Sequence, residues 1–152
     1  MRIFRIAKTE HINDLSGERA RLYGGRWNKV GEAMLYFSQN LSLCLLEIIV
    51  HVDYGKLPID YSFIEVEIPD NTIKTNQSLD FVEPKRSTEK AVIQLQMLGS
   101  SWLKSKESLA FGVPSAVMHQ ENNVLINPRH EDFPKLKIIR KGKMDLDPRL
   151  FR

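Results

Sequence analysis

Met34-Leu35-Tyr36-Phe37-Ser38-Gln39-Asn40-Leu41-Ser42-Leu43-Cys44-Leu45-Leu46-Glu47-Ile48-Ile49-Val50-His51 joins two kinds of apolar pattern. Met34 to Phe37 is a short continuous apolar run, as a buried strand requires. Ser38 to Asn40 can cap a helix, and Leu41 to about His51 continues as one. Wound as a helix, Asn40, Cys44, Glu47 and His51 recur at spacings of 4, 3 and 4 and share one face. The other faces are nearly all apolar. Glu47 is the only charged residue between Lys29–Glu32 and His51–Asp53. A stripe that merely faces water usually carries Lys or several charges, whereas this one carries Asn, Cys and His. A cleft wall is therefore the favoured reading over plain surface.

Working outward, Ile3, Phe4 and Ile6 predict a short first strand. Residues 16 to 32 are rich in Gly and charge and read as an ordered loop, because Arg26 and Trp27 amid glycines imply a backbone shaped around something. Downstream, Ile64, Val66 and Ile68 alternate with Glu65 and Glu67, the period of a half-buried strand, which Pro69-Asp70-Asn71 ends. Residues 75 to 87 read as a polar loop. Thr88 to about Lys104 carries a helical stripe at Ala91, Val92, Leu95, Leu98, Trp102 and Leu103. Pro114 to His119 and Val124 to Ile126 predict two strands around a turn at Glu121-Asn122-Asn123, and Leu136, Ile138 and Ile139 predict a last one. Strands outnumber helices without regular alternation. The expected fold class is α+β, a single domain over residues 1–152 with a curved or split, mostly antiparallel sheet and a few helices.

Composition narrows the function. The 152 residues are 42% hydrophobic, enough for a core without disulfide or metal staples. The single cysteine, Cys44, permits no intrachain disulfide and reads as a small buried hydrophobe rather than a thiol nucleophile. The N-terminus lacks a signal-peptide core, and the longest apolar run, about ten residues, is too short to span a bilayer. A cytoplasmic location with no membrane association is expected. The net charge of +3 permits an anionic ligand but does not argue for a nucleic-acid binder. The basic stretch Lys135 to Lys143 reads as a strand with a solvated outer face. His11, His51, His119 and His130 show no metal-ligand spacing, and no phosphate-cradling or dinucleotide-type glycine motif is present.

Arg26, between Gly25 and Trp27, can hold its planar fork against a phosphate while the glycine allows close backbone approach; alternatively it bonds loop carbonyls. Tyr36 sits in the strand before the Glu47 helix. Ser115 follows Pro114 without the Gly-x-Ser-x-Gly elbow of a hydrolase triad. Asn127-Pro128-Arg129-His130 ends a strand with polar groups.

Taken in order, Gly24-Gly25-Arg26-Trp27-Asn28, Gly31, Leu35-Tyr36-Phe37-Ser38, Leu43 to Glu47, Val113-Pro114-Ser115-Ala116-Val117, Asn123 to Asn127-Pro128 and Asp147-Pro148-Arg149-Leu150 resemble the RES domain family. That family is named for an arginine, a glutamate and a serine, and the matching positions are Arg26, Glu47 and Ser115. The resemblance implies an ADP-ribosyltransferase-like fold and the toxin of a type II toxin–antitoxin pair. It implies NAD as substrate, with no separate cofactor, and an Xre-type helix-turn-helix antitoxin that covers the active site. DNA would be reached only through that antitoxin, and a homodimer is left open. The implied catalytic residues are Arg26, Glu47, Ser115 and Tyr36. Gly25, Trp27, Asn28, Ser38 and Asn127 are the candidate substrate-binding residues.

The chemistry suits these residues. Breaking the nicotinamide–ribose bond builds positive charge on the ribose, which a carboxylate such as Glu47 can stabilise. Arg26 suits the pyrophosphate, Tyr36 or Trp27 could stack on nicotinamide, and Ser115 could bond the ribose or position Glu47. Transfer of ADP-ribose to a protein, and a binding module without turnover, remain the rival readings.

Overall fold

The computed structural model of the chain describes residues 1–51, 60–75 and 88–151. The chain runs through β1 (Arg2–Lys8), α1 (Glu18–Tyr23), β2 (Leu35–Ser38), α2 (Leu41–Ile49), β3 (Tyr61–Glu67), β4 (Ile73–Thr75), α3 (Glu89–Ser105), β5 (Ala110–Pro114), β6 (Asn122–Ile126) and β7 (Lys137–Lys143). The strands form one sheet in the order β4-β5-β6-β2-β1-β3-β7. Among the described residues only β4 and β5 run parallel, and every other pairing is antiparallel. This is the expected α+β class.

Three expectations change. Residues 16 to 32 contain a helix, α1, bracketed by Gly17 and Gly24 at positive φ and tied by a Glu18–Arg21 ion pair at 2.6 Å. It buries none of its residues, so it leaves no apolar period to read. The strand expected over Pro114–His119 runs Ala110–Pro114 and ends at the proline instead: Pro114 has no N–H to continue a ladder, and residues 115–121 turn back to β6. The polar stretch over 75 to 87 begins as strand, with Thr75 in β4; residues 76–87 lie outside the described residues.

The centre of the sheet is split. β1 pairs with β3 along its whole length but meets β2 only at Phe4 and Ser38. Beyond that pair, where the Lys8 end of β1 lies beside the Leu35 end of β2, the two strands part, leaving a cavity of about 290 Å³ lined in part by Arg5, Ala7, Leu35 and Tyr36.

Each face of the sheet has its own core. Ile3, Leu35, Phe37, Ile64, Val66, Val124 and Ile126 point to one side, where Ile12 from the turn after β1 joins them. Met34, Phe111, Val113 and Leu125 point to the other, with Leu95 and Trp102 of α3 and Trp27. Trp102 stacks on Phe111 at 5.4 Å, and Trp27 meets the same ring edge-on at 6.5 Å. Burying such aromatic area is the main attraction holding α3 to the sheet. α2 packs against β1 and β2, and its Cys44 thiol donates to the Phe4 carbonyl at 3.0 Å. β7 is an edge strand with exposed lysines, as expected. Glu65, expected on a solvated face, is 5% exposed because Arg2 and Arg140 close over it at 3.3 and 3.1 Å.

Candidate functional site

A cavity of about 390 Å³ opens between α1 and α2, on the same face of the sheet as Tyr36 and Asn123. Arg19, Ala20 and Tyr23 of α1, the loop Gly24–Trp27, Tyr36, Glu47, His51 and Asn123 all contribute to its wall. Arg26 from a loop, Tyr36 from β2 and Glu47 from α2 therefore share one pocket.

Glu47 is held through one oxygen. The Ser115 hydroxyl donates to its Oε1 at 2.7 Å and the Asn123 amide donates to the same atom at 2.6 Å. Ser115 Oγ also accepts from the backbone N–H groups of Val117 and Met118, both at 3.0 Å. With its acceptor positions filled, its single proton is directed at Glu47. Asn123 is oriented in turn by the Ser38 hydroxyl, which donates to its Oδ1 at 2.6 Å. The sequence folds this way because β2 and β6 are adjacent: the Ser38–Asn123 register puts both side chains on the face that α2 crosses. Neither bond to Glu47 uses Oε2, so that oxygen is the one available to a ligand in the pocket.

The loop carrying Arg26 is rigid by hydrogen bonding. Asn28, fully buried, donates its amide to the carbonyls of Ala20, Lys29 and Glu32 at 2.8 to 3.1 Å. The Tyr36 hydroxyl donates to Asn28 Oδ1 at 2.7 Å and accepts from the Trp27 N–H at 3.1 Å. Burial pushes the Tyr36 phenol up to about 12, so it stays a neutral donor. Gln96 of α3 donates to the Gly25 carbonyl at 2.9 Å. Gly25 is required by closeness: a Cβ there would lie 2.5 Å from the Tyr36 hydroxyl oxygen. No carboxylate pairs with Arg26 among the described residues, and its guanidinium is a cation available to a phosphate.

Several expected roles shift. Ser115 is fully buried behind Glu47 and does not line the pocket; its hydroxyl is turned to Glu47 and not to the cavity. Trp27 contributes to the wall, yet its side chain belongs to the core cluster around Phe111 and is not free to stack on a ligand. Tyr36 spends its hydroxyl on the Arg26 loop. Asn28 and Ser38 support the loop and Asn123 from within rather than offering ligand contacts. Asn127 is misplaced altogether: it lies four residues beyond Asn123, roughly 13 Å along the strand direction. Its amide donates to Leu103 O and its carbonyl oxygen accepts from Arg129 N. Asn40 occupies the N-cap position of α2 but caps nothing; its amide reaches Glu121 at 3.1 Å. Of the stripe, Cys44 is buried, and burial raises its thiol to about 11, whereas Glu47 and His51 reach the pocket.

Sequence reasoning missed Asn123, Arg19 and Tyr23. Asn123 lay in a presumed turn. Arg19 and Tyr23, spaced i and i+4, would have stood out had α1 been recognised as a helix. Among the described residues no cluster of three or more His, Cys, Asp or Glu could hold a metal, and no helix is long and apolar enough to cross a membrane.

A protein-family model described as RES domain matches residues 2–147. The "Prs ADP-ribosylating toxin" of Sphingobium sp. is 35% identical over 99% of this chain and 95% of its own length. "Toxin Res" of Yersinia enterocolitica is 34% identical, covering 99% of both chains. The solved Mycobacterium tuberculosis MbcT–MbcA toxin–antitoxin complex contains a chain of the same fold: TM-score 0.71 and 18% identity, covering 99% of this chain and 86% of that one.

Proposed function

The chain belongs to the RES domain family, and from that premise we propose that it is the toxin of a toxin–antitoxin pair that breaks the nicotinamide–ribose bond of NAD. The carrying observation is the Glu47 carboxylate, clamped through Oε1 by Ser115 and Asn123, in one pocket with the Arg26 guanidinium. An electrostatic group works when it is fixed in advance and needs no reorganisation as charge develops. Arg26 binds the pyrophosphate, and Glu47 Oε2 faces the nicotinamide ribose. The C1′–N bond breaks, its electron pair leaves with neutral nicotinamide, and the cationic ribose is stabilised by the carboxylate until an acceptor oxygen bonds to C1′ and loses its proton. Water or phosphate as acceptor makes the enzyme a glycohydrolase or a phosphorylase.

One observation favours a second reading, transfer of ADP-ribose to a protein: the Sphingobium relative is named for ADP-ribosylation. The antitoxin partner is supported by the solved neighbour, a toxin–antitoxin complex; an Xre-type helix-turn-helix protein covering the pocket is the form we propose. The test is purified protein mixed with NAD labelled in the adenylate half. Release of nicotinamide with free labelled ADP-ribose or its 1″-phosphate supports cleavage. Label on protein supports transfer. No nicotinamide release leaves a binding module.

A further inference from the structure

We infer that Arg19 and Tyr23 of α1 form the adenosine-side subsite of the pocket, a reading that rests on NAD as the ligand. The two residues stand one turn apart, so with Ala20 they make a single stripe by which α1 joins the wall of the pocket that Glu47 and His51 also line. The Arg19 guanidinium lies over the Tyr23 ring, 5.8 Å from its centroid. Tyr23 is 74% exposed, a large ring left open at the cavity mouth beyond the contact with Arg19. No carboxylate pairs with Arg19 among the described residues, and it also lines the neighbouring cavity in the split between β1 and β2.

The charges of the pocket set the direction of the dinucleotide. Arg19 and Arg26 come from α1 and the loop that follows it, whereas the Glu47 carboxylate comes from α2. Attached nicotinamide is a cation and is drawn to the carboxylate and repelled by the arginines. Adenine is neutral and flat. It stacks on an aromatic face that Arg19 does not cover, and the guanidinium over the ring adds cation–π attraction. Tyr23 leads directly into Gly24, Gly25 and Arg26, so a base on Tyr23 is adjacent to phosphates held by Arg26. The adenosine half thus belongs to α1 and the nicotinamide half to α2.

The experiment is calorimetric titration of wild type, Tyr23→Ala and Tyr23→Trp with ADP, which carries only the adenosine end, and with nicotinamide mononucleotide, which carries only the other. Thermal melting checks that each variant is folded. Tyr23→Ala is expected to weaken ADP about 5- to 100-fold, as loss of base–aromatic stacking does, while leaving nicotinamide mononucleotide unchanged; Tyr23→Trp restores ADP. Arg19→Ala weakens ADP in the same direction. Unchanged ADP affinity, an equal loss for both ligands, or no ADP binding by wild type overturns the subsite. If the ADP pattern holds while wild type releases no nicotinamide from NAD, the subsite stands and the proposed reaction falls.

Discussion

Ser115 has one proton to give, and two backbone amides already occupy its acceptor positions. That arithmetic decides what Glu47 is in the folded protein: an acceptor, fixed by hydroxyl and amide donors to the same oxygen. It also makes Glu47→Gln a clean probe. Glutamine keeps its carbonyl oxygen toward Ser115 and Asn123 and turns its NH₂ into the pocket, so shape survives and only the charge is lost. The expected result is a fall in kcat of about 100- to 1000-fold with KM nearly unchanged, because the ribose cation exists only near the transition state. Comparable kcat in a folded variant would remove Glu47 from the chemistry. Arg26 makes the complementary case. Arg26→Ala should lower kcat/KM by about 2 to 5 kcal/mol of lost charge pairing at almost unchanged melting temperature, and Arg26→Lys should recover little, since an ammonium lacks the planar fork. Both residues were legible in the sequence, Glu47 as a lone charge in an apolar run and Arg26 by its glycine setting. Asn123 was not, because what singles it out is a register between β2 and β6 that no local pattern encodes.

Among the elements, α3 approaches the Arg26 loop at a glycine. A Cβ at Gly99 would overlap the Trp27 carbonyl oxygen, a backbone atom that cannot swing away. Gly99→Ala therefore has to push α3 off the loop, at a cost of about 1 to 3 kcal/mol or more, and the Gln96 bond to Gly25 stretches with it. Denaturant unfolding measures the stability loss, and NAD turnover should fall with it although Gly99 lines no pocket; an unchanged midpoint would mean that the close approach is not rigid. The helix itself was readable from its stripe, whereas its glycine contact was not, since the partner is a loop carbonyl far along the chain. β2 and α2 together carry a second, pH-dependent test. Tyr36 is raised from 10.0 to about 12, chiefly by burial, and Cys44 from 9.0 to about 11 for the same reason. A folded-state pKa above the unfolded value means stability that is whole below the unfolded pKa and lost as pH rises through the folded one. Unfolding midpoints should hold to about pH 9 and decline from there toward pH 12. Tyr36→Phe should start lower, having lost two hydrogen bonds to the loop, but decline less steeply. Parallel curves for the two proteins would assign the alkaline loss elsewhere.

At the scale of the whole molecule, the class was legible because strand-length apolar runs outnumbered helical ones, yet the feature that makes room for a ligand was not. α1, invisible to periodicity, supplies one wall of the pocket, and β1 and β2, which meet at a single residue pair and then part, open the neighbouring cavity beside it. Both are consequences of how elements pack, not of what each prefers alone. The assembled cleft gathers Arg19 and Arg26 from α1 and its following loop and Glu47 from α2 within a chain of net charge only +3, so the affinity for NAD is expected to be local rather than a property of overall charge. This leads to a cellular prediction that separates the two proposed reactions. Expressing the chain alone should slow growth and deplete NAD, and Glu47→Gln, expressed to the same soluble level, should do neither. A cognate antitoxin that covers the pocket should reverse both effects, with a chain segment or side chain competing with the NAD phosphates for Arg26. Metabolite extraction before and after induction gives NAD, and a label on the adenylate half follows ADP-ribose. Slowed growth at normal NAD with label fixed on a cellular protein would favour transfer, because modifying one target consumes far less NAD than turnover. Growth and NAD both unaffected by abundant soluble wild type would defeat the toxin assignment and leave a ligand-binding cleft.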